Sequence, residues 1–325
     1  MWAAVSPSLQ SARAVGVDEA VAILRRGGLV ALPTETVYGL GADALDPRAV
    51  ARIFAVKGRP ANHPLIVHLA DADHLPGWAA VPDDAWLLAA RFWPGPLTMV
   101  LPRGPLALDA VTGGLATVGL RVPAHALTRA VLLGLGSGVA APSANRFGRI
   151  SPTTAAHVAE DLGGDIDGIL DGGPCEVGIE STIVDLSGAE PAVLRQGAIT
   201  REALAEALGR PVGLCTEAVV EDGHERAAAP GQLASHYAPR ARLELAPRDR
   251  IAGIMRARAA ERIIVLDEAA LGPTADTWAK NLYAALRAAD ARGPDVILVP
   301  APPAGALAAA VLDRLTRAAA PRPAR

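Results

Sequence analysis

The chain has 325 residues, of which 51% are hydrophobic and 20% are charged, and its formal net charge is -3. This length suits one large domain or two ordinary ones with a packed core. The charge gives no support for a dedicated nucleic-acid-binding protein, which usually carries a basic surface. The two cysteines, Cys175 and Cys215, form neither a disulfide framework nor a CxxC metal site, so we expect a reducing cytoplasm.

The sequence lacks the patterns of secreted and membrane-spanning proteins. Residues 1–14 have no basic start followed by a long apolar run. No uninterrupted apolar run reaches the ~18 residues that suggest a membrane span. We therefore expect no signal peptide and no membrane association.

Helical and strand patterns alternate over residues 1–210. Helical spacing of apolar residues predicts helices over 18–26, 47–56, 83–92, 127–135, 153–162 and 201–208. Short apolar runs predict strands over 29–33, 64–69, 97–101, 118–122, 138–141, 169–170, 181–186 and 192–195. We expect Asp46, Ser151 and Thr200 to cap the helices that follow them. This alternation predicts an α/β domain.

The remainder of the chain divides into a linker and a second small domain. Residues 211–240 have few periodic apolar positions, which is typical of a functional loop or a linker that folds back. Beyond it, strands predicted over 243–245, 263–266 and 296–299 alternate with helices predicted over 251–259, 278–289 and 305–318. This pattern predicts a parallel α/β domain with right-handed crossovers over residues 241–325.

The common nucleotide-binding and hydrolase motifs are absent. The sequence has no G-x-x-x-x-G-K-[ST], no G-x-S-x-G and no H-E-x-x-H. Gly134, Gly136 and Gly138 resemble part of a dinucleotide fingerprint, but they follow a helix and precede a strand, which is the reverse of the required order. We interpret them as a helix-terminating turn.

Four cations each end or interrupt an apolar element: Lys57, Arg59, Arg121 and Arg195. The first two, taken alone, are typical of a solvated helix end. Arg121 lies inside a strand pattern, where a charge either faces solvent or meets an anion. Together the four predict a converging anion site that can hold a polyanion such as a nucleoside triphosphate.

Hydroxyl groups also recur at the ends of apolar runs, at Thr34, Ser143, Ser151, Ser181 and Thr182. One interpretation is helix capping and turn formation, which we favour for Ser151. The other places these hydroxyls at strand carboxyl ends, where open α/β sheets bind ligands.

The histidines and carboxylates are less informative. His68 ends a predicted strand and is more often structural there, whereas His236 and Tyr237 lie in the linker and are better functional candidates. Glu35, Asp43, Glu180 and Asp185 have no spacing that identifies an acid–base pair or a metal cage. The residues alone identify no general base.

These segments, read together, resemble the threonylcarbamoyl-AMP synthase family, the YrdC-like proteins, in its long two-domain form. The segments that carry the resemblance are Pro33-Thr-Glu-Thr-Val-Tyr-Gly-Leu-Gly41, Lys57-Gly-Arg-Pro60, Pro64-Leu-Ile-Val-His68, Trp93-Pro-Gly-Pro-Leu-Thr98, Gly119-Leu-Arg-Val-Pro123, Ala141-Pro-Ser-Ala-Asn145 with Gly148 and Ser151-Pro-Thr153, Glu180-Ser-Thr-Ile-Val-Asp185, Leu194-Arg-Gln-Gly197 and Pro230-Gly-Gln-Leu-Ala-Ser-His-Tyr-Ala-Pro239. They occur in order and span nearly the whole chain.

The resemblance implies a fold and a reaction. The fold is a YrdC-like twisted α/β sheet around a concave basic pocket, with a linker reaching over the pocket and a Rossmann-like C-terminal domain. The reaction joins L-threonine, bicarbonate or CO2, and ATP into threonylcarbamoyl-AMP and pyrophosphate. A separate transferase complex then modifies adenosine 37 of tRNA, and weak tRNA binding by this chain is compatible with that role.

The resemblance also implies roles for individual residues. Catalysis and phosphate binding fall to Lys57, Arg59, Ser143 and Asn145, and the wider ATP site adds Ala61, Thr117, Ser151, Arg195, His236 and Tyr237. L-Threonine binding falls to Thr34, His68, Arg121, Ala141, Ser181 and Thr182. Mg²⁺ enters with the ATP phosphates, and the protein supplies no metal cage.

Three alternatives remain open at this point. One is a related carbamoyl-adenylate or carbamoyltransferase enzyme, although the zinc-finger-like cysteines of that family are missing here. Another is a non-catalytic double-stranded RNA-binding module, against which the net charge argues mildly. The third is an ATP-binding regulatory protein that releases no pyrophosphate.

Overall fold

A computed structural model describes residues 13–216, 219–221, 224–226 and 229–321 of the chain. The first part contains the helices α1 (Val17–Arg25), α2 (Pro47–Lys57), α3 (Leu75–Trp78), α4 (Asp83–Phe92), α5 (Asp109–Thr112), α6 (Ala126–Leu135), α7 (Ala155–Leu162) and α8 (Arg201–Leu208). Its strands are β1 (Val30–Leu32), β2 (Gly39–Asp43), β3 (Ile66–His68), β4 (Leu97–Pro102), β5 (Thr117–Arg121), β6 (Val139–Ala140), β7 (Gly168–Ile169), β8 (Thr182–Asp185), β9 (Ala192–Arg195) and β10 (Gly213–Leu214).

These strands form one mixed sheet in the order β10-β9-β8-β4-β5-β3-β6-β2-β1-β7. The pairs β1–β7, β3–β5, β4–β8 and β9–β10 are parallel, and the others are antiparallel. Apolar residues of the strands, such as Val67 and Leu120, pack with helix residues such as Ile53 and Leu88 in the main core. The α/β fold class predicted from the sequence is confirmed.

The C-terminal part is a small parallel α/β unit, also as predicted. Its strands are β13 (Arg242–Leu245), β14 (Ile263–Val265) and β15 (Val296–Val299), and its helices are α9 (Ile251–Ala257), α10 (Glu268–Leu271), α11 (Ala275–Ala291) and α12 (Ala308–Ala319). The sheet order is β13-β15-β14, with both pairings parallel. No helix in the described ranges is long and apolar enough to cross a bilayer.

The two parts share a hydrophobic core at their junction. Val37, Ile150 and Ile179 of the first part pack in one cluster with residues of α11 and α12 and with Tyr237. This cluster continues the core of the C-terminal unit onto the face of the first part that carries the candidate site. The C-terminal unit therefore contributes directly to the surroundings of that site.

The short helices α3, α5 and α10 were not predicted from the sequence, and three further differences concern β2, α7 and the linker. Strand β2 was not predicted, because its two glycines lower strand propensity and its near-complete burial removes the alternation of polar and apolar residues. Ser151 does not cap α7, since the Thr154 side chain accepts the hydrogen bond from the His157 amide. Part of the predicted linker is regular: β10 pairs with β9, and β11 (Val219–Glu221) pairs with β12 (His224–Arg226) in a hairpin.

Candidate active site

A cavity lies where several strands of the large sheet end, and Pro230, Gly231, His236 and Tyr237 of the linker (residues 211–240) form part of its wall. It holds about 570 Å³ of space between atoms, part of it open to solvent. The parallel pairing of β3 and β5 sets His68 beside Arg121 at their carboxyl ends. The lining residues are Thr34, Thr36, Val37, Gly39, Arg59, Ile66, His68, Arg121, Ala141, Pro142, Ser143, Glu180, Ser181, Arg195, Pro230, Gly231, His236 and Tyr237.

Two buried arginines, Arg59 and Arg195, place positive charge on the cavity wall. Arg59 donates to the Pro64 carbonyl at 3.0 Å, and its guanidinium lies 5.6 Å from the centre of the Phe147 ring. Arg195 donates from Nε to the Ser181 carbonyl, from Nη1 to the Pro230 carbonyl and from Nη2 to the Ser181 hydroxyl, each at 3.0 Å. Among the described side chains, no carboxylate forms an ion pair with either arginine. Buried charges of this kind favour an anionic ligand.

Lys57 lies behind the cavity wall rather than on it. It ends α2, and its ammonium donates to the carbonyls of Ser143 and Asn145, the latter at 2.6 Å. Burial, followed by the charge of Arg59, holds the pKa of Lys57 well below its ordinary value. In this structure Lys57 therefore holds the turn that presents Ser143 to the cavity.

Arg121 meets the anion that its buried strand position required, and that anion belongs to the protein. Its Nη2 donates to Glu35 Oε1 at 2.7 Å, and its Nη1 donates to the Thr36 hydroxyl at 2.9 Å. The second Glu35 oxygen accepts from the Ala124 amide at 3.1 Å. The pair fixes the Thr34–Thr36 turn against the end of β5.

Five buried polar atoms at or beside the cavity have no hydrogen-bond partner among the described residues. They are Arg59 Nε, His68 Nδ1, Asn145 Oδ1, His236 Nδ1 and Tyr237 Oη. Leaving a buried polar group unpaired costs about 1–3 kcal/mol, so native proteins retain few such groups without a reason. Their concentration around one cavity indicates a polar ligand that completes their bonding.

The two cavity histidines are neutral near pH 7. Burial, followed by the charge of Arg121, lowers the pKa of His68 to about 3. Burial also lowers the pKa of His236 to about 3, with Arg59, Lys57 and Arg195 adding to the effect against the opposing charge of Glu180. Neutral imidazoles can donate one hydrogen bond and accept another.

Two aromatic rings of the linker, those of His236 and Tyr237, line the cavity and contact rings from both parts of the chain. The His236 ring makes edge contacts with Phe147 and Tyr237, at centroid distances of 5.9 and 4.1 Å. Tyr237 stacks on Tyr283 of α11 at 5.8 Å and has a left-handed φ of 61°. The Cβ of any residue replacing Gly231 would lie 2.6 Å from the Tyr237 hydroxyl, so only glycine fits this approach.

Comparison with known proteins shows the family of the chain. Residues 22–197 match a family profile described as telomere recombination, and residues 199–320 match one described as the threonylcarbamoyl-AMP synthase C-terminal domain. The chain is 42% identical over 320 residues to the threonylcarbamoyl-AMP synthase of Pyrococcus abyssi, covering 92% of each chain. It is 40% identical over 326 residues to that of Bacillus subtilis, covering 94% of this chain and 93% of the relative.

This chain belongs to the threonylcarbamoyl-AMP synthase family. A crystal structure of P. abyssi Sua5 complexed with L-threonine matches it with a TM-score of 0.86 at 40% identity, covering 93% of this chain and 94% of that one. The resemblance and the fold expected from the sequence are thereby confirmed over nearly the whole length.

The structure brings most of the predicted site residues of this family member to one cavity. The predicted residues that line it are Thr34, Arg59, His68, Arg121, Ala141, Ser143, Ser181, Arg195, His236 and Tyr237. Thr117 lines a second, smaller cavity that shares Ile66 and Pro230 with the first.

The other predicted site residues do not line the main cavity. Lys57 and Asn145 lie behind the wall, and Ala61 is exposed outside it. The Ser151 hydroxyl donates to Glu180 Oε1 at 2.6 Å. The Thr182 hydroxyl donates to the Ile199 carbonyl at 2.6 Å, so its bonding is already used.

Two lining residues with polar side chains were not assigned a role from the sequence: Thr36 and Glu180. Both are polar neighbours of predicted residues, Thr36 two positions after Thr34 and Glu180 directly before Ser181. Their closeness in sequence to predicted site residues was the one feature that could have indicated that they line the cavity. Glu180 gave no recognisable pattern because its partners Tyr283 and Arg314 lie more than 100 residues away in the sequence.

Proposed function

We propose that the chain is an L-threonylcarbamoyladenylate synthase, a nucleotidyltransferase that condenses L-threonine, bicarbonate or CO2, and ATP to threonylcarbamoyl-AMP and pyrophosphate. The observation that carries the proposal is the pair of buried arginines, Arg59 and Arg195, which form no ion pair with a carboxylate of the described residues and face a cavity in a chain of this family. A triphosphate supplies the anion that they lack. The double-stranded RNA module and the ATP-binding regulator gain no comparable support.

ATP occupies the side of the cavity that carries these arginines. Its phosphates contact Arg59, Arg195 and the Ser143 hydroxyl. Lys57 and Asn145 hold the turn that carries Ser143, or they reach the phosphates when that turn moves. Ala61, Thr117 and Ser151 lie toward the nucleoside, and His236 and Tyr237 close the site. The smaller cavity at Thr117 supports this direction, because it continues from the main one past Ile66 and Pro230.

L-Threonine occupies the opposite side, at the ends of β3 and β5. Arg121 and Ser181 receive the carboxylate, and Thr34, His68, Ala141 and Thr182 surround the remainder. The Arg121–Glu35 pair bears on this assignment, because Glu35 takes one guanidinium nitrogen and so restricts how the carboxylate approaches. The unpaired His68 Nδ1 offers a bond to the amino acid.

The chemistry needs positioning and charge neutralisation more than covalent catalysis. The threonine amine attacks CO2, the carbamate oxygen attacks the α-phosphorus, and pyrophosphate leaves. Holding these groups together removes much of the entropic barrier, and buried cations stabilise the charge that develops on the phosphates. The closed linker shields the carbamate and the adenylate from water.

Mg²⁺ accompanies ATP rather than binding to the protein first. Among the described residues, no three His, Cys, Asp or Glu side chains cluster as a metal site. The two carboxylates near the cavity, Glu35 and Glu180, are held by arginines. Mg²⁺ prefers phosphate oxygens and waters, which the bound triphosphate supplies.

The product passes to a separate tRNA threonylcarbamoyl transferase complex in the cytoplasm, with at most weak direct tRNA binding by this chain. The division of labour follows the predicted boundaries: a catalytic domain over residues 1–210, a covering linker over 211–240 and a C-terminal Rossmann-like domain over 241–325.

The test is pyrophosphate release from Mg-ATP, measured with and without L-threonine and bicarbonate. L-Serine and glycine, each used in place of threonine, are the controls. The expected result is release that requires both threonine and bicarbonate. The release should be lower when serine or glycine replaces threonine. Release that is indifferent to the amino acid favours a carbamoyl-transfer enzyme. ATP binding without release contradicts the synthase proposal.

A further inference from the structure

The buried carboxylate of Glu180 connects the cavity to the C-terminal unit. Glu180 lines the cavity, and its side chain is 7% exposed. Its Oε1 accepts from Ser151, and its Oε2 accepts from the Tyr283 hydroxyl at 2.8 Å and from Arg314 Nε at 2.9 Å. Two of these three donors come from α11 and α12, so the C-terminal unit determines where this carboxylate points.

Arg314 is fully buried and contacts three segments around the cavity. Besides Glu180, it donates from Nη2 to the Gln196 carbonyl at 2.8 Å, one residue after Arg195. Its guanidinium lies 5.3 Å from the centre of the Tyr237 ring in the linker. The same side chain also pairs with Asp313 at 2.7 Å, which balances its charge from within α12.

The charges of two arginines act on Glu180, but only Arg314 is hydrogen-bonded to it. Arg314 holds its Oε2, whereas Arg195 forms no ion pair with it in the described part of the chain. Burial raises the pKa of Glu180, but the charges of Arg314 and Arg195 and the bonds from Ser151 and Arg314 outweigh it and lower the pKa to about 2. The carboxylate is therefore ionised and requires a cation.

We infer that Arg314 is a positioning residue that commits Glu180 to the C-terminal unit. Arg195, which donates only to neutral oxygens of Ser181 and Pro230, then has no competing carboxylate when it binds the phosphates of ATP. The inference rests on the proposed function and extends it to a residue outside the cavity. Without Arg314, Arg195 is the cation that remains beside Glu180. A Glu180–Arg195 ion pair would then compete with the triphosphate for the same guanidinium.

The experiment compares wild type, Arg314→Met and the double variant Arg314→Met/Glu180→Gln. Affinity for Mg-ATP is measured by calorimetry without threonine and bicarbonate, and the KM values for ATP and threonine are measured by pyrophosphate release. Arg314→Met should weaken ATP binding and raise the KM for ATP about tenfold, with less than a twofold change in the KM for threonine. The double variant should recover to within about threefold of wild type, because no carboxylate then competes for Arg195.

Two further variants separate this role from a general loss of structure. Arg258→Met removes a half-buried arginine that pairs with Glu244 and Glu261 inside the C-terminal unit, and it should leave both KM values unchanged. If Arg314→Met does not fold, Tyr283→Phe removes one bond to Glu180 and should raise the KM for ATP about threefold.

If the variant that folds has the wild-type KM for ATP, the inference is wrong. It is also wrong if the KM for ATP rises in Arg314→Met and Glu180→Gln does not lower it again, because the weaker ATP binding is then caused by lost packing. Wild-type protein that binds ATP but shows no threonine-dependent release overturns the proposed function alone, because the calorimetric comparison still tests Arg314.

Discussion

His68 illustrates how burial at a single residue links the site to pH. Its folded-state pKa of about 3 lies below the ordinary value of 6.5 because burial and then Arg121 oppose the charged form. The unfolded chain therefore binds the proton first, and this residue's contribution to stability is present above pH 6.5 and is lost as the pH falls below it. His236 has the same sign for the same main reason.

We predict that His68→Gln weakens the dependence of stability on pH. Between pH 7.5 and 5.5, the wild-type free energy of unfolding should fall by about 1.4 kcal/mol more than that of the variant, which is the protonation free energy of one unfolded-state histidine. Urea unfolding at both pH values measures the difference. Equal losses in the two proteins would show that His68 is not buried in its neutral form.

Gly178 permits a close approach between the two parts of the chain. It has a φ of 80°, and a Cβ at this position would lie 2.4 Å from the Lys280 carbonyl oxygen and 2.6 Å from that of Ala279. Both atoms are backbone atoms of α11, so neither can move aside cheaply. The loop that carries Glu180 packs on the C-terminal unit through this glycine.

We predict that Gly178→Ala destabilises the protein by more than about 3 kcal/mol, since it adds a backbone clash to the ~1–2 kcal/mol cost of a left-handed residue. Gly173→Ala is the matched control, because Gly173 has a φ of 79° with nothing within 4 Å of the added Cβ. Chemical denaturation of both variants gives the comparison. Similar losses would mean that the approach to α11 is not tight.

At the scale of single elements, two hydroxyl groups near the start of α7 have different roles. That of Thr154 caps the helix, and that of Ser151 binds a carboxylate of the cavity wall. Ser151 precedes Pro152 and has the sequence pattern of a cap, yet Thr154 makes the capping bond and Ser151 bonds Glu180. Both residues suit a cap equally well by type, so local propensity could not choose between them. The distant carboxylate decided the choice.

We predict that Thr154→Ala lowers stability by about 1 kcal/mol, the usual cost of a lost N-cap, and leaves threonine-dependent pyrophosphate release unchanged. Ser151→Ala should have the opposite profile, with a larger effect on release than on stability. Thermal unfolding and the release assay on both variants provide the test. A loss of activity in Thr154→Ala would place that hydroxyl in the site.

At the scale of the whole molecule, Arg317 of α12 binds the linker through four hydrogen bonds. Arg317 donates to the carbonyls of Gln232 and Leu233 at 2.9 and 2.8 Å, and to that of Thr216 at 2.8 Å. Its own carbonyl accepts from the His236 amide at 3.2 Å. These bonds hold the linker, part of which lines the cavity, against the C-terminal unit. Moving the linker away from the cavity requires breaking them.

We predict that Arg317→Ala loosens the linker and speeds its cleavage in limited proteolysis about tenfold, with reduced pyrophosphate release. Arg242→Ala is the control, because it removes a largely exposed arginine of the same unit that pairs with Glu244 and Glu261. Cleavage sites are identified by mass spectrometry. An unchanged cleavage rate within residues 211–240 would contradict a fastening role for Arg317.

The sequence by itself determined the order of most helices and strands, the α/β class and the family, because apolar periodicity and short motifs are local properties of the chain. It also predicted that Arg121, inside a strand pattern, either faces solvent or meets an anion, and that Arg195 belongs to an anion site. Only the tertiary structure decided that Glu35 meets Arg121 and that Tyr283 and Arg314 hold Glu180. These partners are separated by 86 to 134 residues, and their pairing depends on how whole elements pack.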